Sequence, residues 1–291
     1  MLLGLLLAAA DPAPIVVTAT PLVNAEISRQ ANAYVRNALP APIYGQYARW
    51  ADPVCVKVVG VEDAIAARVT GRVNAIASEA KVPLAKPRCR PNLETVFTED
   101  AVTTTGVIIA KKPRQVHRMT LDAKRVLLTA RFPVRWWHGI DLRDTDGQRA
   151  APNGSAALMS AWSAGGMPLA SSLPIGPDTQ LTDSRSSSLI ASSVAVWATS
   201  GVVIIDVTQA AGKSLDAVAD YAALAGLAPM KLLPPVPGVP SILGLFSRAG
   251  VDGLSRWDRA WLAALYRIPM ARKGDRQRGD LASRMAATLQ E

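Results

Sequence analysis

Histidine, cysteine and aromatic residues are all scarce in this chain of 291 residues. The two histidines, His117 and His138, are too few for an ordinary catalytic zinc site, which takes two or three imidazoles. Neither Cys55 nor Cys89 has a CxxC partner, so a zinc site built on these two thiols alone is not expected. No Gly-x-Gly-x-x-Gly opens a helix, which leaves dinucleotide binding without support. No Gly-x-Ser-x-Gly elbow is present, and Gly154-Ser155 lies in a loop-like stretch rather than between a strand and a helix. Gly212-Lys213-Ser214 follows a strand as the end of a phosphate-binding loop would, but Val207 stands where that pattern needs its first glycine. No apolar run is long enough to cross a bilayer as a helix, and no internal repeat is evident. The expectation is therefore no cofactor, no metal, no specific nucleic-acid signal and no transmembrane helix.

What the chain does have is apolar mass and positive charge. Hydrophobic residues make up 49%, enough for a real core, and the net charge is +9. Such a surface suits anionic neighbours. The densest cluster of basic residues is terminal: Arg267, Arg272, Lys273, Arg276 and Arg278. Residues 1–10, MLLGLLLAAA, read as the apolar region of a secretion signal with a small-residue cleavage site at Ala8-x-Ala10, although no basic residues precede it. A periplasmic or secreted protein is expected. In that compartment an even pair of cysteines is expected to form one disulfide, worth roughly 3 to 4 kcal/mol in the chain-entropy picture; two buried free thiols are the alternative. Residues 11–24 are punctuated by proline and read as an extended arm. Within it, Ile15 to Ala19 resembles the TonB box of outer-membrane transporters, which would make residues 13–20 a contact for such a transporter.

Further along, residues 25–38 place Ile27, Ala31 and Val35 on one helical face. Val54, Val56 and Val58 alternate as in a strand, residues 61–80 carry Val61, Ile65, Val69, Val73 and Ile76 at helical spacing, and Leu93 to Phe97 reads as a second strand. This βαβ unit predicts parallel strands with a right-handed crossover. It also brings Cys55 and Cys89, near the two strand starts, together. Residues 101–130 read as helical in parts, broken at Lys111-Lys112-Pro113, and Pro133 to Ile140 as a strand. Residues 141–187 read as a loop-rich insertion. Leu189 to Trp197 and Val202 to Asp206 read as strands joined by a turn at Gly201. The whole predicts a 1–10 signal-like segment, an arm and short helix over 11–48, and one α+β domain over 49–291 with a mixed sheet packed by helices.

The chain is organised around Val202 to Arg267. After the apolar strand, Ser214 caps a helix running to Leu227. Asp216 and Asp220 share a face of that helix. They are either paired carboxylates for acid–base work, or a like-charge pair relieved by the helix dipole and an arginine from another element. The second is expected, with Arg256 or Arg259 as partner. Ser241 is placed to cap a short helix over Ile242 to Phe246, and Ser255 with Asp258 has capping-box spacing ahead of a helix bearing Trp257, Trp261, Ala264 and Leu265 on one face. Residues 279–290 read as a terminal helix. Trp136, Trp137, Trp257 and Trp261 are expected in the core, and both histidines in packed or surface positions.

The stretch Ser214 to Arg272 resembles the C-terminal region of zincin-like exported bacterial proteins. In that pattern a helix reads HExxHxLGL and is followed by a Pro-Ser-Ile-like segment and a helix reading Leu-Thr-x-x-Asp-x-x-x-Leu-x-x-Leu-Tyr. Here the helix ends Leu224-Ala225-Gly226-Leu227, then come Pro240-Ser241-Ile242 and Leu254 to Tyr266 with Asp258, Leu262 and Leu265 in place. Ala219 and Ala223 stand for the two zinc histidines and Asp220 for the general-base glutamate. Trp50 to Cys55, Cys89 to Asn92 and Pro133 to Gly139 look like exported alphaproteobacterial proteins of the same architecture. The resemblance implies a zincin-like α+β scaffold without its metal holder. The expected function is a non-catalytic envelope protein, a binding or accessory module whose partner is an envelope protein or an anionic surface. The competing readings are a hydrolase with an atypical site near Asp220, Tyr221 and His138, and a periplasmic partner of an outer-membrane transporter.

Overall fold

The computed structural model describes residues 24–40, 42, 46–144, 194–232, 238–247 and 251–291. The signal-like segment, the TonB-box-like run and residues 145–187 of the expected insertion lie outside the described residues. Helices are α1 (Asn24–Ala38), α2 (Asp63–Glu79), α3 (Ala101–Lys111), α4 (Leu121–Thr129), α5 (Leu215–Leu227), α6 (Arg256–Arg267) and α7 (Gly274–Gln290). Strands are β1 (Arg49–Trp50), β2 (Val56–Val59), β3 (Leu93–Thr98), β4 (Val134–Asp144) and β5 (Val194–Asp206). They form one mixed, mostly parallel sheet, and the fold is α+β.

The βαβ unit forms as its spacing predicts. β2 and β3 pair in parallel with Val56 opposite Leu93, and Cys55 and Cys89 are joined in a disulfide. The bond closes a loop of sequence separation 34, for which chain entropy gives about 4 kcal/mol. The Asn92 side chain reinforces the junction, accepting from the Cys55 N–H at 2.7 Å and donating to the Pro53 carbonyl at 3.1 Å.

β5 is the spine of the sheet. Antiparallel β4 runs along one edge of it from Val134↔Ile205 to Asp144↔Val194. The other edge is shared by β1, opposite Trp197–Ala198, and β3, opposite Gly201–Asp206. Two expectations fail here. Gly201 does not turn a hairpin: β5 passes through it without a break. Glycine is needed there for close approach, because a Cβ would lie 2.9 Å from Leu93 Cδ1 and 3.1 Å from Trp50 Cζ2. Residues 141–144 are also strand rather than loop, since β4 extends along its partner to Asp144.

Alternation along the strands divides most of the core between two faces, and Ala48, Leu142 and Val196 form a third, small cluster. Val203, Ile205, Trp136, Leu93 and Phe97 face the larger core with α1, α2, α5, α6 and α7. Val202, Ile204 and Trp137 face a smaller one with Ala101 of α3 and Leu127 of α4. α1 buries Ile27, Ala31 and Val35 as its periodicity predicts, and packs along α7. The four tryptophans expected inside are all buried, and so is Trp50. The terminal helix starts at Gly274, five residues before the expected position. Its first turns are held by Gln277, which accepts from the Tyr47 N–H and donates to the Met270 carbonyl.

Candidate functional site

α5 is set at the centre of the larger core. Ser214 caps it, accepting from the Ala217 N–H at 3.1 Å. Every residue from Ala217 to Leu227 is buried, so the helix is enclosed all round rather than amphipathic. Its small side chains make this possible. At Gly226 an added Cβ would sit 3.0 Å from both Leu93 methyls and 3.4 Å from Val203 Cγ2. Ala219 and Ala223 are both 0% exposed.

The polar groups of α5 point to α2, which lies beside it in the same direction. Both helices follow parallel strands and return across the same face of the sheet. Arg68 grips Asp216 through Nε at 2.9 Å and Nη2 at 2.8 Å. One turn on, Arg72 grips Asp220 through Nε and, at 2.9 Å, Nη2. The two pairs differ in burial. The Asp216 side chain is 53% exposed and the Asp220 side chain 2%. Arg68 holds the Asp216 carboxyl below the usual carboxylate range. The Leu254 N–H adds a third bond to Asp220 at 2.8 Å. The arginine expected from another element is present, but it comes from α2. Arg259 pairs instead with Glu79, and Arg256 donates to the Leu289 carbonyl. The matched spacing of Arg68/Arg72 and Asp216/Asp220, each four apart, is the sequence signal that identifies the true partners.

The carboxyl end of α5 is held by side-chain donors. Its terminal carbonyls have no partner within the helix. The Gly226 carbonyl accepts from Trp50 Nε1 at 2.9 Å and lies 2.8 Å from His138 Nε2, so that nitrogen carries the proton. The Leu227 carbonyl accepts from the Tyr266 hydroxyl at 2.5 Å, and the Met230 carbonyl from Trp136 Nε1 at 3.1 Å. Burial pushes His138 down to about 4 against the opposing pull of the Gly226 bond, so the imidazole is neutral near pH 7. Trp50 and Tyr266 were not singled out by sequence reasoning, because a donor aimed at a distant helix end leaves no local pattern.

The three residues of the competing hydrolase reading, Asp220, Tyr221 and His138, therefore have separate engagements. Asp220 faces α2, His138 reaches Gly226 from the sheet, and Tyr221 packs between Trp136 and Phe246, with ring centroids 6.0 and 5.5 Å away. Asp220 and Gly226 are six residues apart, about 9 Å along the helix axis. Burial also raises the Tyr221 hydroxyl, keeping it protonated. His117 lies elsewhere, exposed, with Nδ1 2.5 Å from the Arg114 carbonyl.

A second buried carboxylate has a structural role. Asp258 is 0% exposed and receives the Tyr34 hydroxyl, the Ser241 hydroxyl and the N–H groups of Ile242 and Ser255. It completes the capping box and ties α1 and the 241–244 turn to α6. Burial raises its carboxyl even so.

Among the described residues no group of three or more His, Cys, Asp and Glu side chains is placed to hold a metal ion, and no helix is long and apolar enough to cross a membrane. Compared with known proteins, the chain matches no family model, no curated protein and no solved structure.

Proposed function

We propose that this chain is a non-catalytic exported protein on a degenerate zincin-like scaffold, working in the periplasm or outside the cell as a binding or accessory module. The observation that carries this reading is the state of the three positions that would hold metal and base. Ala219 and Ala223 are 0% exposed and Asp220 is 1% exposed. Methyl groups packed into a core offer no ligand. A carboxylate only 1% exposed that already receives two guanidinium N–H groups and a backbone N–H is poorly placed to reach and activate water. Further support comes from the disulfide, which suits an oxidising compartment. The arrangement keeps what a metallopeptidase helix does for packing and replaces its chemistry by an ion pair.

The test is metal analysis of the purified protein together with hydrolysis assays on peptide and ester substrates, run beside Asp220→Asn. No stoichiometric zinc and no turnover above buffer are expected for either protein. Stoichiometric metal, or a turnover that Asp220→Asn abolishes while the variant keeps its circular-dichroism spectrum, would overturn the proposal.

A further inference from the structure

The α3–α4 layer covers the face of the sheet opposite α5. Three observations distinguish its outer side. The first is charge. Residues 101–131 hold seven Lys and Arg against one carboxylate, Asp122, a net +6 along the sequence, from which Lys112 is offset by Glu94 of β3. The denser-looking cluster over 267–280 nets only +3, because Asp275 and Asp280 offset its five basic residues. The second is apolar exposure. Val107 at 47%, Leu121 at 84% and Val126 at 39% are the exposed large hydrophobic residues among those described, and all three lie on this helix pair. Scattered singly they would need no explanation, but all three fall on the two helices that also carry the excess of basic residues. The third is what is missing: residues 101–131 contain no Phe, Tyr or Trp to stack on a base.

The layer is firmly mounted. Arg135 of β4, 0% exposed, donates to the carbonyls of Leu127 and Ala130 at the end of α4. Lys112 at the end of α3 is tied to Glu94 of β3 at 2.7 Å. Lys111, Arg114 and Arg131 are exposed on α3, the turn after it and just past the end of α4, and Arg125, also exposed, pairs with Asp122.

We infer that the outer side of α3–α4 binds an anionic lipid bilayer. Basic side chains interleaved with exposed aliphatic ones match an interface whose headgroups are negative and whose next few ångströms are apolar. A nucleic acid would use the charge and leave Leu121 without a role. This surface is separate from α5 and stands whether or not α5 is catalytic.

The test is flotation of the full chain with vesicles of phosphatidylcholine alone, and of phosphatidylcholine mixed equally with phosphatidylglycerol. Binding is expected only to the anionic vesicles and should weaken as salt rises. Leu121→Ser should weaken it about tenfold, and Lys111→Glu with Arg114→Glu at least about 25-fold. Arg276→Glu with Arg284→Glu on α7 changes net charge equally and should shift binding by no more than about twofold, because that helix packs on the opposite face. Any contribution of the apolar N-terminal run is common to all variants. All five altered residues are exposed, so unchanged thermal melting is expected to accompany each result. Absence of flotation, equal losses for the two charge-reversal pairs, full binding by Leu121→Ser, or binding of duplex DNA in preference to the vesicles would each overturn the lipid assignment.

Discussion

Arg68–Asp216 and Arg72–Asp220 form a natural control for the effect of burial on an ion pair. Chemistry and helix spacing are the same in both; exposure differs, and Asp220 also accepts the Leu254 N–H. In the outer pair both side chains are more than half exposed, at 61% and 53%, and in the inner pair the arginine is 39% and the aspartate 2% exposed. Arg68→Met should cost less than about 1 kcal/mol, as exposed pairs do. Arg72→Met leaves the Asp220 carboxylate buried with only the Leu254 N–H as partner. Breaking a fully buried pair costs about 3–5 kcal/mol, and the water-exposed Arg72 end softens this to about 2–3 kcal/mol. Combining Arg72→Met with Asp220→Leu removes the stranded charge and should return stability to within about 1 kcal/mol of the parent, what remains reflecting the unpaired Leu254 N–H. Urea unfolding followed by tryptophan fluorescence, with the inner-pair double-mutant cycle, should give a coupling of about 2 kcal/mol. Equal costs for the two single arginine variants, or an additive double variant, would refute the claim that burial decides the worth of the inner pair.

Two further outcomes follow from the donor cluster at the end of α5 and from the spine of the sheet. The unfolded chain takes up a proton on His138 near pH 6.5, while the folded protein resists until about 4. Its contribution is therefore complete above about pH 6.5 and declines as pH falls to 4, by roughly 2–3 kcal/mol. His138→Gln, whose amide can still donate to Gly226, should flatten that part of the stability–pH curve, and an unchanged slope would remove His138 as its cause. Gly201→Ala would press a methyl against Leu93, Trp50 and His138 Cδ2, the last at 3.4 Å, and should destabilise by about 1–3 kcal/mol in the same urea assay. A neutral result would mean that these neighbours yield freely.

Local periodicity made much of this fold legible. The repeats at Val69, Val73 and Ile76, the alternation of β2 and the Ser214, Ser241 and Ser255 caps all act within a few residues. Their consequences could be read without knowing the tertiary structure. The disulfide was legible one step further, because parallel strands bring their starts together. Gly201 shows where such reasoning ends. In sequence a glycine between two apolar runs signals a turn, whereas here it is required by Trp50 and Leu93, which arrive from far along the chain. Closeness in sequence points to α6 for the partners of Asp216 and Asp220. They stand on α2, 148 residues away, because the sheet places α2 beside α5. The donors that close α5 come from β1, β4 and α6 and share no spacing at all. The basic layer was hidden for a different reason: its positive charges are spread over two helices and the turn between them, while the compact terminal cluster has two of its five charges offset by Asp275 and Asp280.

The pairing of Asp144 with Val194 means that the chain leaves the sheet and returns to it at neighbouring points. The 49 residues between them close a loop whose ends are already held together by the antiparallel ladder. Closure entropy grows only with the logarithm of length, so doubling or halving such a connection changes the free energy of folding by about 0.6 kcal/mol. The length of this connection is thus nearly invisible to the sheet that carries it. Lengthening or shortening it would leave the β4–β5 register to the ladder that sets it.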